Sequence, residues 1–309
     1  MRSGISGVAV LAVLAGCGTW SNEDIAFVEA LPTSQALKVA LPDPAAQALC
    51  APPGSSEVWA WAKPAGDGIN ALVDLLLSFV DLVKSVTPSG RAADARTWGP
   101  FDDQKHPGKE VRVRMTRTRD SDGVPTYAYW FEARPKGGEF QAVLEGTFRG
   151  ESARAGRGEF ALRFDTLRAL GMDDHPDTDP TGVLAVQYDK TGDPRTVGLD
   201  IQSKTGSLAA FDYGFAGYAS GNGFFRYAFT NEQQQQYVVD AHFGAAGEGR
   251  ADVTVVLSST WSLGFSECWD AAGCVTDVKD PNAGTLLFPD GLSKLCQGGQ
   301  CPSGACPTF

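Results

Sequence analysis

Apolar and polar residues alternate along most of the chain between residues 109 and 257. A period of two predicts β-strands, because successive side chains of a strand point to opposite faces of a sheet. Short segments rich in Gly and Asp, such as 120–123 and 220–223, separate the alternating runs and predict tight turns between antiparallel neighbours. Strands with one apolar face cannot stay flat in large numbers. The sequence therefore predicts a mainly β fold, as a large curved antiparallel meander or an open (half) barrel.

One long helix is predicted ahead of these strands. Residues 69–86 are apolar on most sides, Asp67 is a suitable N-cap, and Pro88 stops the helix. The polar residues of this segment fall three or four positions apart and form one narrow stripe. A helix of this kind is buried on most of its surface, so we expect the sheet to wrap around it. A membrane-dipping or partner-binding helix is the alternative, whereas Asp74 and Asp81 disfavour a membrane span.

The N-terminus has the pattern of an export signal. Residues 5–15 are apolar, one basic residue precedes them, and the stretch is shorter than the roughly 20 residues of a membrane-spanning helix. It ends in Leu14-Ala15-Gly16-Cys17, which resembles the lipobox of bacterial lipoproteins. The resemblance implies cleavage before Cys17, a diacylglyceryl thioether on its sulfur and acylation of the new amine.

The same resemblance implies a location in the cell envelope, with the membrane as partner through the lipid anchor. Several acyl chains hold a protein more firmly than the marginal anchoring of one chain. Gly18, and not an aspartate, follows the cysteine, which favours the outer over the inner membrane. The alternatives are an ordinary signal peptide with an unrelated cysteine, and the N-terminal helix of a cytosolic protein.

The chain accordingly divides into four predicted segments. They are a signal peptide (1–16), a lipidated cysteine with an Ala/Pro-rich tether (17–56), a β domain containing the helix 69–86 (57–290) and a Cys-rich C-terminal tail (291–309). Residues 57–62 alternate and predict a short first strand of the β domain.

Composition excludes nucleic acid as a partner. The chain carries 26 basic and 37 acidic residues, for a formal net charge of −11. Phosphate backbones are bound through local positive charge, which a chain of this balance lacks.

Six cysteines follow Cys17, and an even number in an exported protein predicts disulfides. The segment between Cys268 and Cys274 is short and turn-like, which favours a local bridge between these two. The tail cysteines would then pair among themselves or with Cys50, and three pairings stay open. A zinc site in the tail is the alternative, although its spacing differs from that of common zinc ribbons. The tail cysteines are Cys296, Cys301 and Cys306.

Motifs of catalysis are absent from the sequence. His106, His175 and His242 have neither metal-ligand nor triad-like spacing, and no nucleophile elbow or phosphate-binding loop occurs. No cofactor is therefore predicted, and the protein is expected not to be an enzyme.

One acidic loop offers a weak calcium site. Asp173, Asp174, Asp177 and Asp179 could supply the oxygen ligands that Ca²⁺ prefers. The loop fails the EF-hand pattern at its last ligand position, where Tyr188 stands, so a solvated acidic loop is the alternative.

A basic face is also possible on neighbouring strands. Such a face could meet lipid phosphates or anionic polysaccharide, whereas ion pairs with nearby carboxylates would neutralise it. The arginines are Arg112, Arg114, Arg149 and Arg163, and the carboxylates are Glu145, Glu159 and Asp165.

The predicted body looks like the half-barrel with a lid helix found in some envelope lipoproteins that carry lipids, a resemblance of fold alone. It implies a non-catalytic lipoprotein with a binding or structural role, in which a hydrophobic ligand would lie between helix and sheet. A surface adhesin or partner-docking module is one alternative, and a hydrolase of envelope polymers is another. Exposed tryptophans would favour docking, with Trp59, Trp61, Trp98 and Trp130 as candidates.

Overall fold

The computed structural model describes residues 19–33, 37–38, 50, 54–152, 155–173, 181–202, 209–230, 235–258, 260–284, 292–293, 295–296 and 300–307. The helices in these ranges are α1 (Asn22–Glu29), α2 (Glu57–Ser85) and α3 (Phe164–Ala169). The strands are β1 (Gly90–Ala92), β2 (Ala95–Asp102), β3 (Lys109–Arg119), β4 (Pro125–Pro135), β5 (Gln141–Ser152), β6 (Ala155–Arg163), β7 (Val183–Asp189), β8 (Arg195–Gln202), β9 (Ala209–Gly217), β10 (Gly223–Thr230), β11 (Gln236–Phe243), β12 (Gly249–Ser258), β13 (Trp261–Trp269) and β14 (Val275–Lys279).

The chain forms two compact units. Unit 1 comprises Met1–Leu37 and Ala71–Asp179 and contains α1, α3 and β1 to β6; unit 2 comprises Lys38–Asn70 and Pro180–Phe309 and contains β7 to β14. Within each unit every strand pairs antiparallel with the next one along the chain. No described pairing joins the first strand of a unit to its last, so each meander is open. The predicted mainly β antiparallel meander is confirmed.

Helix α2 begins at Glu57, well before the predicted start. The Ser56 hydroxyl accepts a hydrogen bond from the Trp59 amide at 3.0 Å, so Ser56 is the residue that caps the helix. The predicted strand at 57–62 was wrong, because these residues form the first turns of α2. Val58, Trp59 and Ala62 are buried at helical spacing, and an alternating run of six residues does not distinguish this from a strand.

Exposed charges recur along α2 at steps of seven residues. Asp67, Asp74 and Asp81 are exposed, whereas Val73 and Val80 are buried. Seven residues make about two helical turns, so these aspartates lie on one solvent-facing stripe. The expected long apolar helix, enclosed on most of its surface, was therefore wrong: α2 is an amphipathic helix.

Glycines make room for aromatic rings on the buried sheet faces. In unit 1, Gly146 is the register partner of Tyr129, and a Cβ at position 146 would come within 2.5 Å of the tyrosine ring. In unit 2, Gly249 and Trp269 are paired in the same way. The rings lie flat across the neighbouring strand at these positions, because no side chain stands in their way.

A docked helix lies within the segment that the sequence assigns to a tether. Asp24 and Phe27 of α1 are both 0% exposed. The Asp24 carboxylate forms ion pairs with Arg96 at 2.5 Å and with Arg91 at 3.0 Å. The Phe27 ring packs edge-on against Tyr127 at 5.4 Å between ring centroids. Helix α1 is thus part of unit 1.

The structure contains three disulfides, which differ from the predicted pairing. They join Cys50 to Cys274, Cys268 to Cys306 and Cys296 to Cys301. The expected local bridge between Cys268 and Cys274 was wrong, as was a bridge from the tail to Cys50. The physical reason lies in the hairpin register, since Cys268 lies opposite Asp277 and not opposite Cys274.

The described part of the C-terminal tail lies beside β14. The Val278 amide donates a hydrogen bond to the Pro302 carbonyl at 2.9 Å, and the Gly304 amide donates to the Asp277 carboxylate at 3.3 Å. Because these bonds cover the free edge of a strand, they protect it from pairing with another chain.

Among the described residues, no helix combines the length and the apolar character needed to cross a membrane.

Candidate functional site

An apolar pocket lies in unit 1 between α2 and strands β4, β5 and β6. Its cavity volume is about 10 Å³, room for about one water molecule, whereas sites for drug-sized ligands typically measure roughly 300–1,000 Å³. The Tyr129 hydroxyl, 3.5 Å from the Glu159 carbonyl oxygen, is the one polar group among its side chains. The pocket is therefore a small apolar gap between helix and strands. Its lining residues are Pro32, Leu77, Val80, Tyr129, Phe131, Leu144 and Phe160.

The proposed calcium loop lies mostly outside the described residues, as do Asp174, Asp177 and Asp179. Asp173 is described, and its carboxylate accepts a hydrogen bond from the Arg168 guanidinium at 3.1 Å. No group of three or more His, Cys, Asp or Glu side chains that could hold a metal ion occurs in the described part of the chain. Cys17, the expected lipidation site, is likewise outside the described residues.

The arginines of the expected basic face are paired with carboxylates. Arg112 and Arg114 both donate to the Glu132 carboxylate at 2.8 Å, and Glu132 is only 7% exposed. Burial opposes its ionisation, but the two guanidiniums outweigh burial and lower the pKa of Glu132. Arg163 is paired with Glu145.

Arg149 is paired with two carboxylates, Asp120 and Asp122. Of the four arginines, Arg163 thus has a partner that the sequence proposed, while the other three have different ones. The interpretation as ion pairs fits these contacts better than an open basic patch.

Two of the four tryptophans considered for docking are buried. Trp59 is 1% exposed and Trp98 is 0% exposed, so both belong to the core. Trp130 is half-buried and lies under the Arg114 guanidinium at 5.1 Å. The side chain of Trp61 lies outside the described residues. The three described side chains do not form an exposed aromatic patch.

Two of the histidines are described, and both make local contacts. His106 Nδ1 lies 2.8 Å from the Asp103 carboxylate, three residues away in the same loop. His242 packs against the Phe224 ring at 4.7 Å between centroids. Neither of these two contacts involves a nucleophile. His175 lies outside the described residues.

Glu267 is a buried carboxyl group that the sequence analysis missed. It is 0% exposed and stands between Phe265 and Trp269 on the apolar face of β13. Burial raises its pKa to about 7, although the Ser56 hydroxyl and the first amides of α2 favour the ionised form. An enclosed carboxyl cannot reach a substrate, so Glu267 does not supply one of the accessible acids that glycoside hydrolysis needs.

Aromatic packing fixes the start of α2 in unit 2. The Trp59 ring lies 5.7 Å from Trp269, 6.3 Å from Phe243 and 6.4 Å from Phe225, measured between centroids. Aromatic pairs at such distances contribute beyond the area they bury. Trp59 is therefore the anchor of this helix end.

A backbone clamp reinforces the same helix end. The Val275 amide donates to the Gly54 carbonyl at 3.0 Å, and the Ser56 amide donates to the Gly273 carbonyl at 3.0 Å. The Cys50–Cys274 disulfide closes the clamp, with 5.3 Å between Cα atoms. The chain is thus held to the β13–β14 hairpin immediately before α2 begins.

No protein-family model matches the chain, and neither a curated protein nor a solved structure is significantly similar to it.

Proposed function

We propose that the protein is a non-catalytic lipoprotein of the bacterial cell envelope, anchored through Cys17, with a binding or structural role. The observation that carries the proposal is the pairing of the six cysteines after Cys17 into three disulfides. Disulfides of this kind persist outside the cytoplasm. With those six paired, Cys17 is the one cysteine of the seven left for another modification.

The leader sequence supports the anchor. The apolar stretch and the lipobox-like Leu14-Ala15-Gly16-Cys17 fit export followed by lipidation. Gly18 favours the outer membrane in this proposal.

Replacing Cys17 by alanine is expected to abolish lipid attachment. Cells fed a palmitate analogue should label the wild-type protein and a Thr19→Ala control, but not Cys17→Ala, because the thioether and the acylated amine both require the cysteine. Gel detection of the label and the mass of the N-terminal peptide measure this. Undiminished labelling of Cys17→Ala, or an unlabelled wild type, would exclude the anchor.

In its finer form the proposal places a small apolar ligand at the pocket of unit 1, between α2 and the strands, where it would enter by displacing the lining side chains. Leu77 and Val80 on the helix and Phe131 and Leu144 on the strands support this location, because they line one concave apolar space. In unit 2, the contacts of Trp59 with the sheet support the same arrangement of helix on strands.

Native mass spectrometry of residues 18–309, produced without the lipid anchor, is expected to show the added mass of a bound apolar ligand. Unfolding should release this ligand. Val80→Leu should lower the fraction of protein that carries the ligand, since the added methylene takes up the free space of the pocket. Val73→Leu, on the same helix but outside the pocket lining, should retain it. A wild-type protein that carries no added mass would rule out the ligand and leave the structural role.

A further inference from the structure

We propose that Trp20 and Ile25, at the start of α1, form a membrane-contacting surface that inserts into the headgroup region of the bilayer holding Cys17. This inference rests on the proposed lipid anchor and adds to it a second, non-covalent contact with the same bilayer.

Both side chains are more exposed than is usual for their type. Trp20 is 37% exposed and Ile25 is 42% exposed, and they are two of four large apolar residues that the described part of the chain exposes. The other two, Tyr218 and Trp261, stand singly in unit 2, where isolated apolar residues are ordinary. The pair on α1 is the one case in which two lie close together in the sequence.

The helix cap sets the positions of the two side chains relative to the start of α1. Ser21 is the N-cap of α1, and it exchanges hydrogen bonds with Asp24 in a capping box. Trp20 therefore precedes the cap and Ile25 occupies the fourth helical position. Apolar residues at these two positions commonly pack against each other as a hydrophobic staple. In this arrangement the two exposed side chains would form one apolar surface.

The distance from the anchor places this surface at the membrane. Trp20 lies three residues after Cys17, and three residues span at most about 11 Å. The polar headgroup layer is roughly 5–8 Å thick on each side of the hydrocarbon core. Helix α1 cannot swing away, because Asp24 and Phe27 fix it to unit 1. The anchored chain thus holds Trp20 within reach of the interface.

The chemistry of the surface fits the interface and not the hydrocarbon core. Tryptophan is enriched where a membrane meets water, because its ring is apolar and its N–H is polar. The exposed neighbours Thr19, Ser21 and Asn22 are uncharged. Glu23 forms an ion pair with Arg117 at 2.7 Å, and the exposed Glu29, one turn beyond Ile25, marks the end of the apolar surface.

Quenching by brominated lipid tests the proposal on the full, lipidated protein. The protein is reconstituted in zwitterionic phosphatidylcholine vesicles with and without bromine on the acyl chains near the headgroup. We expect the brominated lipid to quench part of the wild-type tryptophan emission. This quenched part should be lost in Trp20→Phe and reduced in Ile25→Ser, and it should persist in the matched control Trp261→Phe.

Equal quenching of wild type and Trp20→Phe would overturn the membrane-contacting surface. Vesicle flotation of the same samples separates this failure from that of the anchor. A protein that floats with the vesicles but shows no quenching from Trp20 is anchored without the surface. A protein that does not float has no lipid on Cys17, and it contradicts the proposed function together with the inference. Trp20→Phe is expected to fold normally, because the exposed ring contributes little to the core.

Discussion

Replacing Trp59 by alanine is expected to lower the free energy of unfolding by about 3–5 kcal/mol, the range typical of a large aromatic residue removed from a core. Trp59 is 1% exposed and contacts three aromatic rings of unit 2. Its loss leaves a cavity bounded by the rigid rings of Phe225, Phe243 and Trp269, which cannot collapse easily into the space. Chemical denaturation followed by circular dichroism measures the change.

The matched control is Trp261→Ala. Trp261 lies on β13, which also carries Trp269, but it is 48% exposed. We expect its loss to cost less than about 1 kcal/mol, as for most surface substitutions. Similar destabilisation by the two variants would mean that Trp59 does not anchor the start of α2.

Replacing Asp24 by asparagine is expected to destabilise unit 1 by about 3–5 kcal/mol, the cost of breaking a buried ion pair at one partner. The Asp24 side chain is 0% exposed, and Arg96, its partner at 2.5 Å, is 6% exposed. The variant leaves the Arg96 guanidinium buried without its counterion. Glu23→Gln is the control, because Glu23 is 58% exposed and surface ion pairs contribute at most about 1 kcal/mol.

Because of Asp24, the free energy of unfolding is also expected to fall in acid. Burial opposes ionisation of Asp24, but hydrogen bonds from Ser21, Arg96 and Arg91 together lower its pKa from 3.8 to about 2. A lowered pKa means that the contribution of Asp24 is complete above pH 4 and is lost as the pH falls towards 2. Urea denaturation between pH 5 and pH 2 should show a steeper fall for wild type than for Asp24→Asn. Parallel curves would show that Asp24 is not held ionised by its partners.

The strands were predictable because apolar and polar residues alternate over long stretches of the sequence. Val113 and Met115, for example, alternate with Arg112 and Arg114, and the first two are buried while the arginines are not. The start of α2 was not predictable from periodicity, since six residues around Trp59 fit a strand as well as a helix. What decides between them is the cap from Ser56 and the rings of distant strands, neither of which is a local signal.

Two further features of the structure have recognisable signals in the sequence. Ser21 and Asp24 have the spacing of a capping box, which predicts the start of α1 within the segment interpreted as a tether. Glu267 occupies an inward position of an otherwise apolar alternation, between Phe265 and Trp269, which marks a buried carboxyl. The first feature was predictable from the spacing of two polar residues, and the second from a carboxyl group between apolar neighbours.

The disulfides show the limit of sequence reasoning. The even number of cysteines predicts that they pair, but it cannot choose partners that are separated by 224 positions, as Cys50 and Cys274 are. That choice follows from the β13–β14 hairpin and from the return of the chain just before α2. The pocket of unit 1 likewise could not be predicted from the sequence, because its lining residues come from α2, from three strands and from Pro32.

The intact mass of the protein extracted from bacterial membranes tests the central claim most directly. We predict a chain that begins at Cys17, carries the mass of a diacylglyceryl group and an added acyl chain, and is lighter by six hydrogens than its reduced form. A chain that retains residues 1–16, or begins elsewhere without lipid, would contradict the anchor. Free thiols at the six other cysteines would contradict the disulfide-linked body.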